Sequence, residues 1–365
     1  MYGFTPTDEQ KMLVDAIGRF SKGDLRPASH DADEEGGLPA SLVEKGWELG
    51  LLQASVPEAY GGFGERSAVT GVLAAEELSY GDLAGSLAIM LPASFVTPIL
   101  VGGSEDQKKN YIPSVIEGKW TAYSSAMIES SFDFDLNDLK TTATVDGDHY
   151  LLNGNKTFVP YAAESEAMIV YASLDGKTQG YIVSKGAPGL SVSAERKKLM
   201  GVNAIPIYDI KLEGVRIPKS SRLGGETGHD FTPILAAQRL ANAALAVGVA
   251  RAAFEYSRDY AKEREAFGVK IAQKQAIAFM LAEMATEIEA VRLLTWEAAW
   301  KLDNTKEDYP VAAFLASTGA ADMVMAVTDR AVQILGGYGY IREYPVEMWM
   351  RNGRGFATFT GLAIV

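Results

Sequence analysis

Cysteine is absent from the 365 residues, which removes disulfides, thiolate metal sites and cysteine nucleophiles together. Histidine is scarce: His30, His149 and His229 lie far apart, so a metal cluster or a Ser-His triad would need the fold to gather them. No apolar run approaches the roughly 18 residues that mark a membrane span, and Met1 to Thr7 lacks a charged stretch followed by an apolar one. The expectation is a soluble, cytoplasmic protein without membrane insertion. No Lys/Arg run offsets the net charge of −13, which argues against a nucleic-acid partner. An anionic ligand is compatible only where local basic residues hold it.

What is present suits a globular chain: 47% hydrophobic residues supply ample core, and the length suggests two or three compact units. From residue 7 to about 120 the pattern is helical. Thr7 and Gln10 have capping-box spacing, and Leu38-Pro39 opens a further helix. Residues 66–80 and 104–117 read as helices too. From about 122 to 218 short β-branched runs take over, at 140–145, 149–152, 168–172, 181–183 and 208–212. Asp146-Gly147 and Asn153-Gly154 both read as hairpin turns. Helical patterns then return over 231–264, 273–302 and 311–335, with breaks at Gly268, Pro310 and Gly336-Gly337, which suggests a bundle. The fold class is α+β, with a helical domain over 1–121, a barrel-like β-domain over 122–229 and a helical bundle over 230–365. The acidic run 133–138 lacks the Gly and Glu of a calcium loop and reads as solvated.

Several segments resemble the acyl-CoA dehydrogenases, a flavoprotein family, in order and spacing. They are Pro57-Glu58-Ala59-Tyr60-Gly61-Gly62, Glu76-Glu77-Leu78-Ser79, Leu152-Asn153-Gly154-Asn155-Lys156, Arg264-Glu265-Ala266-Phe267-Gly268 and Gln333-Ile334-Leu335-Gly336-Gly337-Tyr338-Gly339. The resemblance covers nearly the whole chain. It implies an N-terminal helical domain, a middle β-domain and a C-terminal four-helix bundle, with FAD shared between two protomers. One protomer holds the flavin ring and an acyl-CoA substrate; the other reaches across to the ADP end.

The half that reaches across is kept. Arg264 matches the arginine that meets the FAD pyrophosphate, Phe267 and Gln275 match neighbouring contacts, and Gln333, Gly336 and Gly337 match the adenosine segment. The half that acts within one chain departs from the family. Its Thr-Glu-Pro-Gly-Ala-Gly-Ser-Asp segment reads here from Ile128 to Asp135, with Ile128 for Thr and Phe134 for Ser, a ring expected to intrude on the CoA entrance. Its Trp-Ile-Thr reads Phe158-Val159-Pro160. Tyr-Glu-Gly-Thr, whose Glu is the catalytic base, reads Phe359-Thr360-Gly361-Leu362. A minority base position on the first long helix holds Gln238, followed by Arg239, which could orient substrate. Neither Thr nor Gln takes a carbon-bound proton near neutral pH. The resemblance therefore implies a subunit without a catalytic residue of its own, completing the FAD site of a catalytic partner in an α2β2 heteromer. Such a complex would pass electrons to an electron-transferring flavoprotein. The alternatives are a base-less family enzyme with another reaction, such as desulfination, or a flavin-free scaffold.

Overall fold

The computed structural model describes residues 3–305, 307–356 and 360–365. The helical first third holds α1 (Asp8–Phe20), α2 (Arg26–Glu35), α3 (Ala40–Trp47), α4 (Leu51–Ala54), α5 (Ala68–Gly81), α6 (Leu83–Met90), α7 (Ala93–Gly102) and α8 (Glu105–Ile116). Both ends of this run start on reciprocal capping boxes, Thr7 with Gln10 and Ser104 with Gln107. A π-helical turn, Ser21–Leu25, joins α1 to α2; the sequence reading did not separate α2.

The middle third is a seven-stranded sheet of β1 (Ser124–Ala126), β2 (Thr142–Asp146), β3 (His149–Pro160), β4 (Ala167–Leu174), β5 (Lys177–Ser184), β6 (Leu190–Val192) and β7 (Ile207–Pro218). The strand order is β1-β4-β2-β3-β7-β6, with β5 paired to β4. Gly147 turns the β2–β3 hairpin at φ 57°, between the paired Asp146 and His149. Asn153-Gly154, expected to be a turn, lies inside β3. The pairing with β7 shifts register between Leu152 and Asn153, and the Asn153 side chain accepts the Gly214 N–H at 2.8 Å. A Cβ on Gly154 would sit 2.6 Å from Thr141. The dipeptide marks a β-bulge with a close backbone approach, in which cross-strand pairing overrides the local turn preference.

The last third holds α9 (Thr232–Glu263), a hairpin of β8 (Glu265–Ala266) and β9 (Val269–Lys270), α10 (Gln275–Asn304), α11 (Tyr309–Leu335) and α12 (Val346–Gly353). Pro310 stands in the first turn of α11, where proline is tolerated, so it opens that helix. α9 is the hub, packing against α11, α10 and α5. Gly248 permits the α5 crossing, since a Cβ there would meet Ser79 Oγ at 2.0 Å. The expectation of no long apolar span rested on unbroken runs. By length and mean hydropathy two helices, Thr232–Glu263 and Tyr309–Gly339, could cross a membrane; 89% of the first one's apolar window is buried in the protein, and 39% of the second's.

Candidate functional site

α9 ends on Arg264, whose backbone turns to φ −69°, ψ 125° and leads into the β8–β9 hairpin. The hairpin turn is Phe267-Gly268, both at positive φ (56° and 80°). A bulky residue in that region is a true outlier and costs about 1–3 kcal/mol. The Phe267 ring recovers little by burial, being 95% exposed, and the Lys274 ammonium faces it at 5.8 Å. Strain without packing gain points to use rather than to folding.

α11 ends opposite, on Gly336 at φ 60°, ψ −129°. A cleft of about 300 Å³ separates the two helix ends, lined by Arg264, Gly336, Gly337, Tyr260, Ile271 and Tyr338 among others. The Arg264 guanidinium lies 5.5 Å from the centre of the Tyr338 ring. Among the described residues no carboxylate lies within ion-pair distance of it, so a permanent cation stands free at the cleft mouth. Gly336 needs its glycine for backbone reasons, whereas Gly337 does not: its φ is ordinary, and a Cβ there would meet nothing within 4 Å. An open cradle beside a free guanidinium fits a nucleotide pyrophosphate.

Of the six expected nucleotide contacts, Arg264, Gly336 and Gly337 share this cleft. Phe267, Gln275 and Gln333 are exposed and lie outside its lining, the last two in the first turn of α10 and the final turn of α11. Tyr260 and Tyr338 were not expected as site residues. Tyr338 stood in plain view in the Gly336-Gly337-Tyr338-Gly339 run.

The second region is built on β1, β3 and the start of α9. Ile128 is buried behind β1, and its carbonyl accepts the Thr157 N–H at 2.9 Å. Beneath it Lys156 and Glu129 form an ion pair at 2.9 Å, with side chains 0% and 6% exposed. Lys156 also donates to the Met127 carbonyl, and Glu129 accepts the Lys140 and Thr141 N–H groups, each at 2.8 Å. Burial pulls the Lys156 ammonium down to about 8 against the opposing pull of Glu129. The Glu129 carboxyl is held below its usual value: burial would raise it, but Lys156 and the hydrogen bonds prevail. This pair is fully committed to holding the strand.

Phe158 occupies a second β3 irregularity at φ 54°. Pro160 is buried, has no N–H, and its carbonyl already accepts Ser124 Oγ at 2.7 Å. Pro160 therefore offers neither an N–H nor a hydroxyl to a flavin ring. Phe134 is half-buried and packs on the apolar cluster of Phe95, Leu136 and Phe231, while Phe132 next door is fully exposed. The ADP half of FAD therefore has a fitting set of residues in this chain, and the ring half does not.

Thr360 is half-buried; Phe359, named beside it, lies outside the described residues. Gln238 is fully buried, and neither its amide oxygen nor its nitrogen has a hydrogen-bond partner. An amide cannot serve as a base, and an unsatisfied one costs about 1–3 kcal/mol. Arg239 lies half-buried with its guanidinium 5.0 Å from the Phe314 ring centre. It lines a cleft of about 550 Å³ with Lys177, Gln179, His229 and Thr232. Burial lowers its pKa, against Asp135. Burial also takes His229 down to about 4, so it is neutral at pH 7. Glu347 is paired with Arg351 at 2.7 Å, which in turn pairs with Asp33.

Comparison with known proteins covers the chain end to end. Three family profiles match in order: "Acyl-CoA dehydrogenase, N-terminal domain" over residues 7–119, the middle domain over 124–215 and the C-terminal domain over 231–363. The chain is 34% identical to cyclohex-1-ene-1-carbonyl-CoA dehydrogenase of Syntrophus aciditrophicus, across 97% of this chain and 87% of that protein. It is 35% identical to caffeyl-CoA reductase-Etf complex subunit CarC of Acetobacterium woodii, across 98% and 96%. Among solved structures it matches a chain from the electron transferring flavoprotein of Acidaminococcus fermentans with TM-score 0.88 and 34% identity, over 99% and 96%. Butyryl-CoA dehydrogenase from Megasphaera elsdenii follows with TM-score 0.86 and 31% identity, over 96% and 94%.

Proposed function

The chain belongs to the acyl-CoA dehydrogenase family, whose members bind FAD, and from that premise we propose that it is the non-catalytic subunit of a heteromeric, FAD-dependent acyl-CoA dehydrogenase. The observation that carries this reading is the asymmetry between its two regions. The Arg264–Gly337 cleft is open and cationic, and among the described residues no carboxylate pairs with Arg264. In the region around Pro160 and Ile128 the backbone carbonyls are already bonded, Pro160 offers no N–H, and both base positions are non-ionisable, although the Gln238 amide and the Ser131 hydroxyl have no partner.

In this reading Arg264 pairs with the pyrophosphate of FAD, Gly336 and Gly337 let the nucleotide approach the backbone, and Tyr338 and Phe267 offer aromatic faces. Gln275 and Gln333 flank them on the exposed surface. FAD, when bound, supplies the acceptor for the substrate's β-hydride. The catalytic partner, a homologue that keeps the Glu, provides the base and the acyl-CoA pocket. The relatives named for Etf complexes support electron transfer from the assembled complex to an electron-transferring flavoprotein.

The orphan amide of Gln238 favours one other reading, a base-less enzyme in which substrate satisfies that amide beside Arg239. Turnover separates the two. Under the main reading the chain alone does not desaturate acyl-CoA or act on other acyl thioesters, and co-purification with the Glu-bearing homologue yields dehydrogenase activity. Turnover of any acyl thioester by the isolated chain would favour the second reading.

A further inference from the structure

We propose that the segment Leu362–Val365 is a plug that closes this chain's own apolar pocket and keeps an acyl chain out of it. All four residues are buried, directly after the half-buried Thr360. Gly361 turns the backbone inward at φ 109°, a conformation that favours glycine, and a Cβ there would press on Met127 at 3.1 Å. Two hydrogen bonds hold the segment: Ser125 Oγ donates to the Gly361 carbonyl at 3.3 Å, and Arg66 donates to the Val365 carbonyl at 2.8 Å. Arg66 is itself half-buried, and burial lowers its pKa, with Asp303 opposing.

Ile364 packs in the same apolar cluster as Met127 and Ala237, the chain neighbours of Ile128 and Gln238. The plug thus shares an apolar core with the residues beside the strand expected to face the flavin and beside the second base position. Val365 rests on α5 where Gly71 leaves room; a Cβ on Gly71 would lie 2.7 Å from that of Val365. What remains between α3, α4, α5, α6 and α7 is a void of about 100 Å³, lined by Trp47, Leu52, Ala74, Met90, Ala93 and Thr97 along with Ile364 and Val365. Pockets that take small molecules begin at about 300 Å³. The void is apolar and too small while the plug is in place.

The inference rests on the reading above only for what is excluded, an acyl chain; the closure belongs to this chain alone. Two variants test it, Gly71→Ala, which helix propensity tolerates but which crowds Val365, and the double change Ile364→Ala with Val365→Ala. The full chain is titrated with cis-parinaric acid, and amide hydrogen exchange is followed over 362–365. Native protein is expected to give no saturable fluorescence and slow exchange. Both variants are expected to bind the probe saturably, with protection falling at least about tenfold. Probe binding by the native chain as tight as by the variants overturns the plug, as does failure of both folded variants to bind. FAD uptake with a catalytic partner is read on the same preparations, so the failure of either idea is visible without the other.

Discussion

The cleft at Arg264 and the region around Pro160 are the two places where the resemblance leads one to expect FAD contacts, yet they are built in opposite ways. At Arg264 the fold leaves a cation unpaired, a glycine unneeded by the backbone and an aromatic ring strained and exposed. Around Pro160 every nearby charge is consumed: Lys156 by Glu129 and Met127, Glu129 by two backbone N–H groups, and the Pro160 carbonyl by Ser124. An unspent charge marks where a ligand is expected, and spent ones mark where folding has taken over. General loss of function would have eroded both regions alike; their difference is the evidence for divided labour.

The largest effect that sharpens this contrast is expected at Lys156. Lys156→Met leaves Glu129 buried without its counter-ion, which should cost about 3–5 kcal/mol of stability in denaturant unfolding. FAD retention per folded complex should be unchanged. The pH profile carries the same signature. The folded pKa of Lys156, about 8, lies below its unfolded value of 10.5. Between these values the unfolded chain binds the extra proton, so this group's contribution to stability rises with pH across that window. The Met variant should lose that part of the slope. A variant as stable as the native chain would show the pair to be uncommitted and the contrast overstated.

Arg264→Ala should act the other way round. Loss of one charge-assisted contact, about 1.5–3 kcal/mol, should weaken FAD retention by the complex roughly ten- to a hundredfold while the unfolding midpoint stays put. Unchanged FAD affinity by equilibrium dialysis would make the cleft an ordinary surface feature. The smallest effect is expected from Thr360→Glu. It returns a carboxylate to a family base position but leaves Pro160, Phe134 and Gln238 as they are, so the lone chain should remain inactive. Measurable acyl-CoA desaturation by that single variant would break the comparison.

Much of this was legible in the residues. The capping box at Thr7, the three long helices and the β-rich middle follow from local rules that the tertiary structure does not oppose. Arg264 with Gly336-Gly337 was expected from the family resemblance alone, and the structure places both at helix termini on one cleft. Asn153-Gly154 misled because a bulge and a turn want the same residue types, and only the partner Gly214 decides between them. The strain at Phe267 and the commitment of Lys156 could not be seen, since both depend on backbone angles and contacts made across the fold. Nor does composition show that Ile364 and Val365 turn inward; that follows from the room left by Gly71 on α5.

The most direct test of divided labour is the FAD content of the purified chain, alone and after co-expression with a homologue that keeps the catalytic Glu. The account predicts a colourless protein alone and FAD bound at subunit interfaces in the complex, lost on Arg264→Ala. A flavin-loaded homo-oligomer of this chain by itself, with FAD equimolar to protomer, would contradict it.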